Sequence, residues 1–508
     1  MANPVRKNWA FPVKDKSLQS GHSNGANKFS LVSMGCPKNL VDSDNLTEKL
    51  TNSGLSYLDN PENTDILLIN TCGFIEDAKK ESIAEILKLA EIKKRQIEFR
   101  VKSSELRGKN NIQNSKLKTQ NSKKLIVFGC LAKRYRDELL KEIPEIDAIF
   151  GVGEDERIVE YCKRIKGSRG LSSNPRTLES YQSFASSSYA YLKIAEGCSR
   201  KCTYCVIPSI RGEYKSITPD EILKKAEGYI NAGIKELILI AQDTASYGKD
   251  LKGYDIAALL KDLCSISGDF RIRLLYAYPA SIKDPLLNVI AEEEKICRYL
   301  DIPFQHSEDR ILKLMKRGGG RKGYLNLIRK IRHAIPDIAL RTTFIVGFPS
   351  ETEEEFNSLI KFMEEAGFDR LGAFKYSKEE GTPAAKLKGH LTDAIKNRRF
   401  DTIMRHQADI SLKKNKALIG RRFKAIIDEA GEGIAVGRLY SHAPEIDGVV
   451  IIEDTGYRMQ DSGYKTQDRK NHASCIVHRA SLELKTGDFV TVEITDVYDY
   501  DLKGIIVR

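Results

Sequence analysis

Short apolar runs alternate with amphipathic helical stretches along most of this chain, and the pattern changes character near residue 419. Between Phe29 and Gly170 one order of elements occurs three times. Ser30–Gly35, Asp65–Thr71 and Leu125–Gly129 read as strands, because each is a short run dominated by Leu, Ile and Val. A helix follows each strand. The first runs through Leu50, the second carries apolar Ile83, Ile86, Leu87 and Ala90, and the third ends near Ile143-Pro144. Strands alternating with helical periods predict a parallel α/β sheet.

Residues 171–188, rich in Ser, Asn, Pro and Gln, read as a linker. The alternation then resumes, with strands expected at 190–195, 235–241, 271–276, 299–304, 340–346 and 371–376 and helices between them. Thr218-Pro219-Asp220-Glu221 has the form of a capping box with Pro at the first helical position, opening a helix through Gly228. Ser350-Glu351-Thr352-Glu353 has the same form. Six β/α units predict a partial barrel whose chemistry lies at the carboxyl ends of its strands. Residues 391–416 read as a helix. Beyond Ile419 short alternating strands with Gly turns take over: Phe423–Ile427, Ile434–Tyr440, Gly448–Ile452, Phe489–Val497 and Gly504–Val507. They predict a small antiparallel β-barrel, interrupted by a polar loop at 455–473. The expected organisation is a flexible tail (1–28), an N-terminal α/β domain (29–170), the linker, a central domain (189–410) and the small barrel (416–508).

Composition narrows the class. With 508 residues, 41% hydrophobic and 30% charged, the chain can bury several cores. No apolar run approaches the roughly 18 residues a membrane helix needs, and Met1–Lys28 lacks the apolar region of a secretory signal. A cytoplasmic protein is expected, and in a reducing cytosol its ten cysteines are metal ligands or buried small residues rather than disulfides. The net charge of +12 is a poor guide to partners. Residues 91–124 alone hold eleven Lys/Arg against three acids, and 95–123 read as a solvated basic insertion. Residues 416–508 hold thirteen Lys/Arg against fifteen Asp/Glu, a net of about −2. An RNA-binding barrel should be basic; this one suits a basic protein better.

The candidate chemistry is concentrated in Glu196-Gly197-Cys198-Ser199-Arg200-Lys201-Cys202-Thr203-Tyr204-Cys205. Three thiolates cannot close a four-ligand zinc site locally, and zinc loops usually pair Cys-x-x-Cys. Held by three cysteines, an iron–sulfur cubane keeps one iron open for another ligand. A second set is dispersed: Cys36, Cys72 and Cys130 each follow one of the first three strands, at the carboxyl end where α/β sheets bind ligands. The fold should gather them into a second three-thiolate site. Cys162, Cys264, Cys297 and Cys475 fit helix or strand patterns singly and read as structural.

The cysteine loop resembles that of the radical S-adenosyl-L-methionine (AdoMet) enzymes. From about residue 29 onward the whole architecture resembles the methylthiotransferase family among them, with its cluster domain, radical AdoMet domain and TRAM domain. The stretches that carry the resemblance are Gly35-Cys36-Pro37-Lys38-Asn39-Leu40-Val41-Asp42-Ser43, Cys205-Val206-Ile207-Pro208-Ser209-Ile210-Arg211-Gly212, Ala241-Gln242-Asp243-Thr244 and Asp301-Ile302-Pro303-Phe304-Gln305-His306-Ser307. They are similar to the branch that modifies a ribosomal protein; tRNA-modifying relatives typically show Gly-Cys-Gln-Met-Asn at the first. The 95–123 and 455–473 insertions depart from the family pattern without touching a motif.

The resemblance implies two 4Fe-4S clusters, one on Cys198, Cys202 and Cys205 and an auxiliary one on Cys36, Cys72 and Cys130. It implies AdoMet as cofactor, with Tyr204 packing on adenine. The implied reaction is methylthiolation of the β-carbon of an aspartate in small-subunit ribosomal protein number twelve. Two AdoMet are used, one cleaved to a radical and one methylating the sulfur. An electron donor and a sulfur donor are implied partners; nucleic-acid contact is not required. An unactivated C–H bond offers no acidic proton, so radical abstraction is the physically sensible route. Gln242 and Asp243, at a strand's end, are placed for AdoMet or substrate contact. Gly197 allows the loop to wrap the cluster and Arg211-Gly212 orders the chain after it. Arg341 and His306 are strand-end polar residues of the kind barrels carry in number. The competing readings are a tRNA adenosine methylthiotransferase, an iron–sulfur carrier, and an RNA-binding module that would require a basic last domain.

Overall fold

Strands buried on both faces need runs of apolar side chains, and Ile66–Ile69 and Leu125–Phe128 in the middle of the N-terminal sheet meet that demand. The computed structural model describes residues 28–105, 123–165, 187–431, 433–453 and 484–507. Strands β1 (Lys28–Ser33), β2 (Ser56–Tyr57), β3 (Ile66–Thr71), β4 (Lys124–Gly129) and β5 (Ala148–Phe150) form one sheet in the order β2-β1-β3-β4-β5. All its pairings are parallel. Leu67, Ile69, Leu125 and Val127 pack into one core, while Ile66, Leu68, Ile126 and Phe128 face another on the opposite side. Helix α1 (Pro37–Asn52) follows β1 and helix α2 (Glu76–Glu105) follows β3.

Helix α2 departs from the expectation. Its buried stripe is Ile86, Leu89 and Ala90, whereas Ile83 and Leu87 are exposed. The helix also runs through Glu105, into the 95–123 segment read as a solvated insertion. The third expected helix is two short ones, Cys130–Arg134 and Arg136–Glu142. Residues 106–122, most of the 171–188 linker, the tail 1–27, the 455–473 loop and Cys475 lie outside the described residues.

The second sheet supplies the partial barrel. Strands β6 (Tyr189–Lys193), β9 (Glu236–Ile240), β10 (Arg271–Leu274), β11 (Ile296–Asp301), β12 (Ala339–Val346) and β13 (Arg370–Lys375) lie side by side in chain order, all parallel. A two-stranded ribbon of β7 (Ala195–Glu196) and β8 (Lys215–Ser216) brackets the cysteine loop. Helix Pro219–Asn231 begins after Thr218, but the Thr218 side chain caps nothing. The capping box falls two residues later than expected in the second case, joining Thr352 and Glu355. Outward-facing strand residues join the large core under the helices. Inward-facing Tyr191, Ile238, Ile240 and Tyr299 form a separate cluster, filled by Val41 of α1 and by Ala443 from the last domain. The barrel's interior is thus closed by both of its neighbours.

The last domain is a closed five-stranded barrel of β14 (Arg422–Ala430), β15 (Ile434–Arg438), β16 (Val450–Glu453), β17 (Phe489–Val497) and β18 (Leu502–Ile506). Four of its seams are antiparallel as expected, and β16–β18 is parallel. It is joined to the central domain by helix Asp393–Lys416, capped by Thr392, and by buried charge. Glu236 at the foot of β9 binds Arg271, Arg273 and Arg438 at 2.6–2.7 Å. Arg273 also donates to the Tyr440 carbonyl at 2.5 Å, and Asp447 holds Arg341 at 3.2 Å.

Candidate active site

Both cysteine sets are brought together by local backbone geometry. Cys36 caps α1, and Cys72 and Cys130 follow the last residues of β3 and β4. Gly35 has φ +94°, and a Cβ placed there would lie 2.6 Å from Cys72 Cβ and 2.8 Å from its sulfur. Only glycine lets the first turn pass so close to the second cysteine. Asn39 ties the set: its Nδ2 donates to the Met34 and Thr71 carbonyls, and its Oδ1 lies 3.8 Å from Cys130 Sγ. Ser82 of α2 bonds both the N–H and the carbonyl of Cys72 at 3.0 Å.

Cys198, Cys202 and Cys205 occupy the loop after β7, at the mouth of the barrel. Gly197 has φ +74°, and a Cβ there would overlap the Glu213 carbonyl oxygen at 2.1 Å. Thr203 fastens the loop's centre, its N–H to the Met315 carbonyl at 3.1 Å and its hydroxyl to the Leu314 carbonyl at 2.8 Å. The two cysteine sites abut: Cys130 packs with Val206 and Ile210, immediately beyond Cys205.

Burial pushes the Cys130 and Cys205 thiols up to about 12 and raises Cys198 as well. The surroundings oppose this. Arg211 stands beside Cys130, the Ile207 N–H points at the Cys205 sulfur, and the Arg200 N–H at the Cys198 sulfur. Arg317 comes within 3.8 Å of Cys202 Sγ. N–H groups and guanidinium directed at buried sulfur suit thiolates bound to a cluster and would be idle around neutral thiols. Among the described residues no three Cys, His, Asp or Glu side chains are grouped to hold a single metal ion. Each thiolate of a cubane binds a different iron, so the residues present fit such a cluster.

The remaining site residues are placed as follows. Gln242 donates to Glu196 Oε1 at 3.2 Å, and its buried Oε1 has no partner among the described residues. Asp243 is fully engaged: it holds Arg200 at 2.8 Å and accepts from Ser246, Ser281 and the Tyr278 N–H. It therefore positions the cysteine loop through Arg200. Tyr204 packs with Met315, Ile345, Phe348 and Tyr376, and its hydroxyl accepts from Arg317 at 3.3 Å. His306 is buried, its Nδ1 accepting the Glu308 N–H, and Arg341 is spent on Asp301 and Asp447. Cys162 and Cys297 are buried in apolar cores, and Cys264 packs against one.

Of the residues that join the two sites, the sequence marks only Arg211, in the Arg211-Gly212 pair that orders the chain after the cysteine loop. Arg211 donates to Asn39, Asp42 and Glu196 at 2.6, 3.0 and 2.9 Å. Lys193 bridges Asp42 and Glu196. Burial would raise the Glu196 carboxyl, but Lys193 and Arg211 pull it down to about 2. Lys79 and Arg134 form a second clamp on buried Glu379 at 3.2 and 3.0 Å. Tyr276 and Gln305, at the ends of β10 and β11, hold φ of +63° and +72°. Such strain in non-glycine residues persists where the surrounding structure enforces it, often at ligand sites.

A partial β/α barrel with a three-cysteine loop at its mouth, a second three-cysteine domain against it and a small β-barrel behind it give the architecture of a radical AdoMet enzyme. Residues 192–363 match the radical SAM superfamily, 419–507 the TRAM domain and 28–102 the family UPF0004. The chain is 51% identical to the ribosomal protein uS12 methylthiotransferase RimO of Thermodesulfovibrio yellowstonii, over 94% of this chain and 99% of that protein. It is 42% identical to RimO of Natranaerobius thermophilus and 41% to that of Aquifex aeolicus, each over 94% of this chain. These matches cover 98% and 96% of those proteins. Among solved structures, the radical AdoMet methyltransferase TsrM of Kitasatospora setae gives a TM-score of 0.49 at 12% identity, covering 83% of this chain and 82% of that one. The chain belongs to the RimO family of radical AdoMet methylthiotransferases, which use AdoMet and 4Fe-4S clusters.

Proposed function

We propose that this chain methylthiolates ribosomal protein uS12 at the β-carbon of an aspartate, and does so in the cytoplasm. The observation that carries the reading is the direct packing of Cys130 on Val206 and Ile210. It sets a second three-cysteine site against the radical-generating one, as sulfur insertion requires, whereas radical generation alone needs only one. Cys198, Cys202 and Cys205 would hold the AdoMet cluster, and Cys36, Cys72 and Cys130 the auxiliary one. When bound, these groups supply one-electron cleavage of AdoMet and an open iron for the incoming sulfur.

The chain's own residues do the positioning. Glu196, lying between Gln242, Lys193 and Arg211 at the barrel mouth, stays ionised. Gln242 keeps one buried carbonyl oxygen unfilled for a donor on AdoMet or substrate. Tyr204 contributes an aromatic face beside the loop. Val41 and Ala443 fill the barrel interior. The 41–51% identity to uS12-modifying relatives favours this reading over the tRNA alternative.

Mass spectrometry of uS12 from a strain lacking the gene tests it. The aspartate should lose its methylthio group and regain it on complementation. Retention of the group in the deletion strain would refute the reading, and loss of a methylthio group from tRNA adenosines instead would establish the alternative. Equal counts of 5′-deoxyadenosine and product, with one AdoMet consumed in total, would exclude the use of two AdoMet.

A further inference from the structure

The first turn of α1 projects into the barrel mouth. Leu40 and Val41 join the barrel's interior cluster, and Lys38 lies on the same approach, its ammonium 3.8 Å from the centre of the Tyr276 ring. Lys38 is two residues beyond Cys36 and directly precedes Asn39, which binds Cys130 and Arg211. It therefore sits at the seam between the two cysteine sites.

The other cations at this mouth are already matched. Arg211 binds Asp42 and Glu196, Lys193 binds the same two, Arg200 binds Asp243 and Arg341 binds Asp301 and Asp447. Arg317 donates to the Pro303 carbonyl and lies against Cys202 and Tyr204, on the AdoMet-loop side. Lys38 differs. Among the described residues no carboxylate comes within 4.0 Å of its ammonium: Cys36, Glu196 and Asp301 act on it from farther off, and the group it lies against is an aromatic face. An ammonium buried against a ring, with no carboxylate at salt-bridge distance, keeps N–H donors available. The α1 terminus adds to the same field, having no acidic residue in its first turn and no side-chain cap. Tyr276, the platform beneath the ammonium, is one of the strained positive-φ residues.

We propose that the Lys38 ammonium receives the side-chain carboxylate of the residue being modified, and so selects an acidic side chain over its amide at that position. This rests on the reading that the target is an aspartate. Binding the carboxylate at Lys38 fixes the adjoining methylene between the two cysteine sites, which is where a hydrogen must leave and sulfur must arrive.

The test compares full-length uS12 carrying the target aspartate with uS12 carrying asparagine there, using enzyme with both clusters loaded. The readout is the ratio of kcat/KM for the two proteins, from the mass gain of a methylthio group. Losing a charged hydrogen bond in a buried site is worth about tenfold or more. Wild-type enzyme should therefore favour aspartate by at least about that factor, and Lys38→Gln should narrow the ratio by a similar one. Lys38→Arg, which keeps the charge, should retain more of the preference than Lys38→Gln. Three results would overturn the proposal: Lys38→Gln discriminating like wild type, Lys38→Arg losing as much as Lys38→Gln, or both variants failing to hold the auxiliary cluster. Wild-type enzyme that modifies no uS12 defeats the functional reading itself, a result distinct from these three.

Discussion

Arg211 lies six residues beyond Cys205, Asp42 lies six residues beyond Cys36, and the two form a 3.0 Å ion pair. This pair couples the chain leaving one cysteine site to the chain leaving the other. Arg211 is buried and also holds Glu196 and Asn39.

Arg211→Gln should uncouple the two halves of the reaction. Removing one partner of a buried pair costs about 3–5 kcal/mol, and a displacement near 1 Å can cost about 100-fold in rate. Methylthiolated product should fall roughly 10- to 100-fold, while AdoMet cleavage falls less. The measurement is 5′-deoxyadenosine formed per methylthio group transferred, which should rise. A parallel fall of both, at constant ratio, would show that Arg211 has no part in alignment.

The two cysteine sets should separate cleanly by substitution. Alanine at Cys198, Cys202 and Cys205 together should abolish AdoMet cleavage. Alanine at Cys36, Cys72 and Cys130 together should leave about half the iron, retain AdoMet cleavage and yield no methylthio product. Iron and sulfide analysis with product chromatography reads both outcomes. Product from the second variant would sink the assignment of the auxiliary site.

Much of this was legible in the sequence for one physical reason. Parallel strands buried on both faces are continuous apolar runs, so Ile66–Thr71 and Glu236–Ile240 stand out without any knowledge of their neighbours. Ligand sites at the carboxyl ends of such strands made Cys36, Cys72 and Cys130 legible too. What stayed hidden depends on pairs distant in sequence. Arg211 meets Asp42 across 169 residues and Arg438 meets Glu236 across 202. No local pattern marks either. Helix α2 was misread because its stripe lies over Lys93 as well as Ile86: the Lys93 ammonium leaves the apolar face to reach Glu145 and Asp147. Lys38 lies in the Gly35–Ser43 motif, but only the Tyr276 ring beneath it shows which way it faces.

Glu236 should set the acid limit of the contact between barrel and last domain. Burial alone would raise its carboxyl, but Arg271, Arg273 and Arg438 together hold it far below the usual range. A depressed carboxylate contributes stability that is complete above its unfolded value of about 4.3 and is lost as pH falls through the folded value. Glu236→Gln should cost about 3–5 kcal/mol at neutral pH. Its deficit relative to wild type should stay constant from pH 8 to about 5 and shrink below that. Denaturant melts across this range check both claims; a deficit that grows on acidification would contradict them.

Gly197 sets the entry to the radical-site loop, and its replacement should show in cluster loading before it shows in stability. At φ +74° an alanine carries a left-handed backbone cost of about 1–2 kcal/mol. Its Cβ would also overlap the Glu213 carbonyl oxygen, which belongs to backbone and cannot swing aside as a side chain could. The strand pairing between Ala195-Glu196 and Lys215-Ser216 must then shift, and with it the Cys198 N–H that bonds the Gly212 carbonyl at 3.0 Å. Gly197→Ala should therefore lose iron at the Cys198 site and AdoMet cleavage with it. Gly212→Ala makes the sharper comparison. Gly212 has φ +75° but nothing within 4 Å of an added Cβ, so it should bear the backbone cost alone and keep most of its iron. Equal iron loss in the two variants would mean that strain, and not the clash with Glu213, governs the loop.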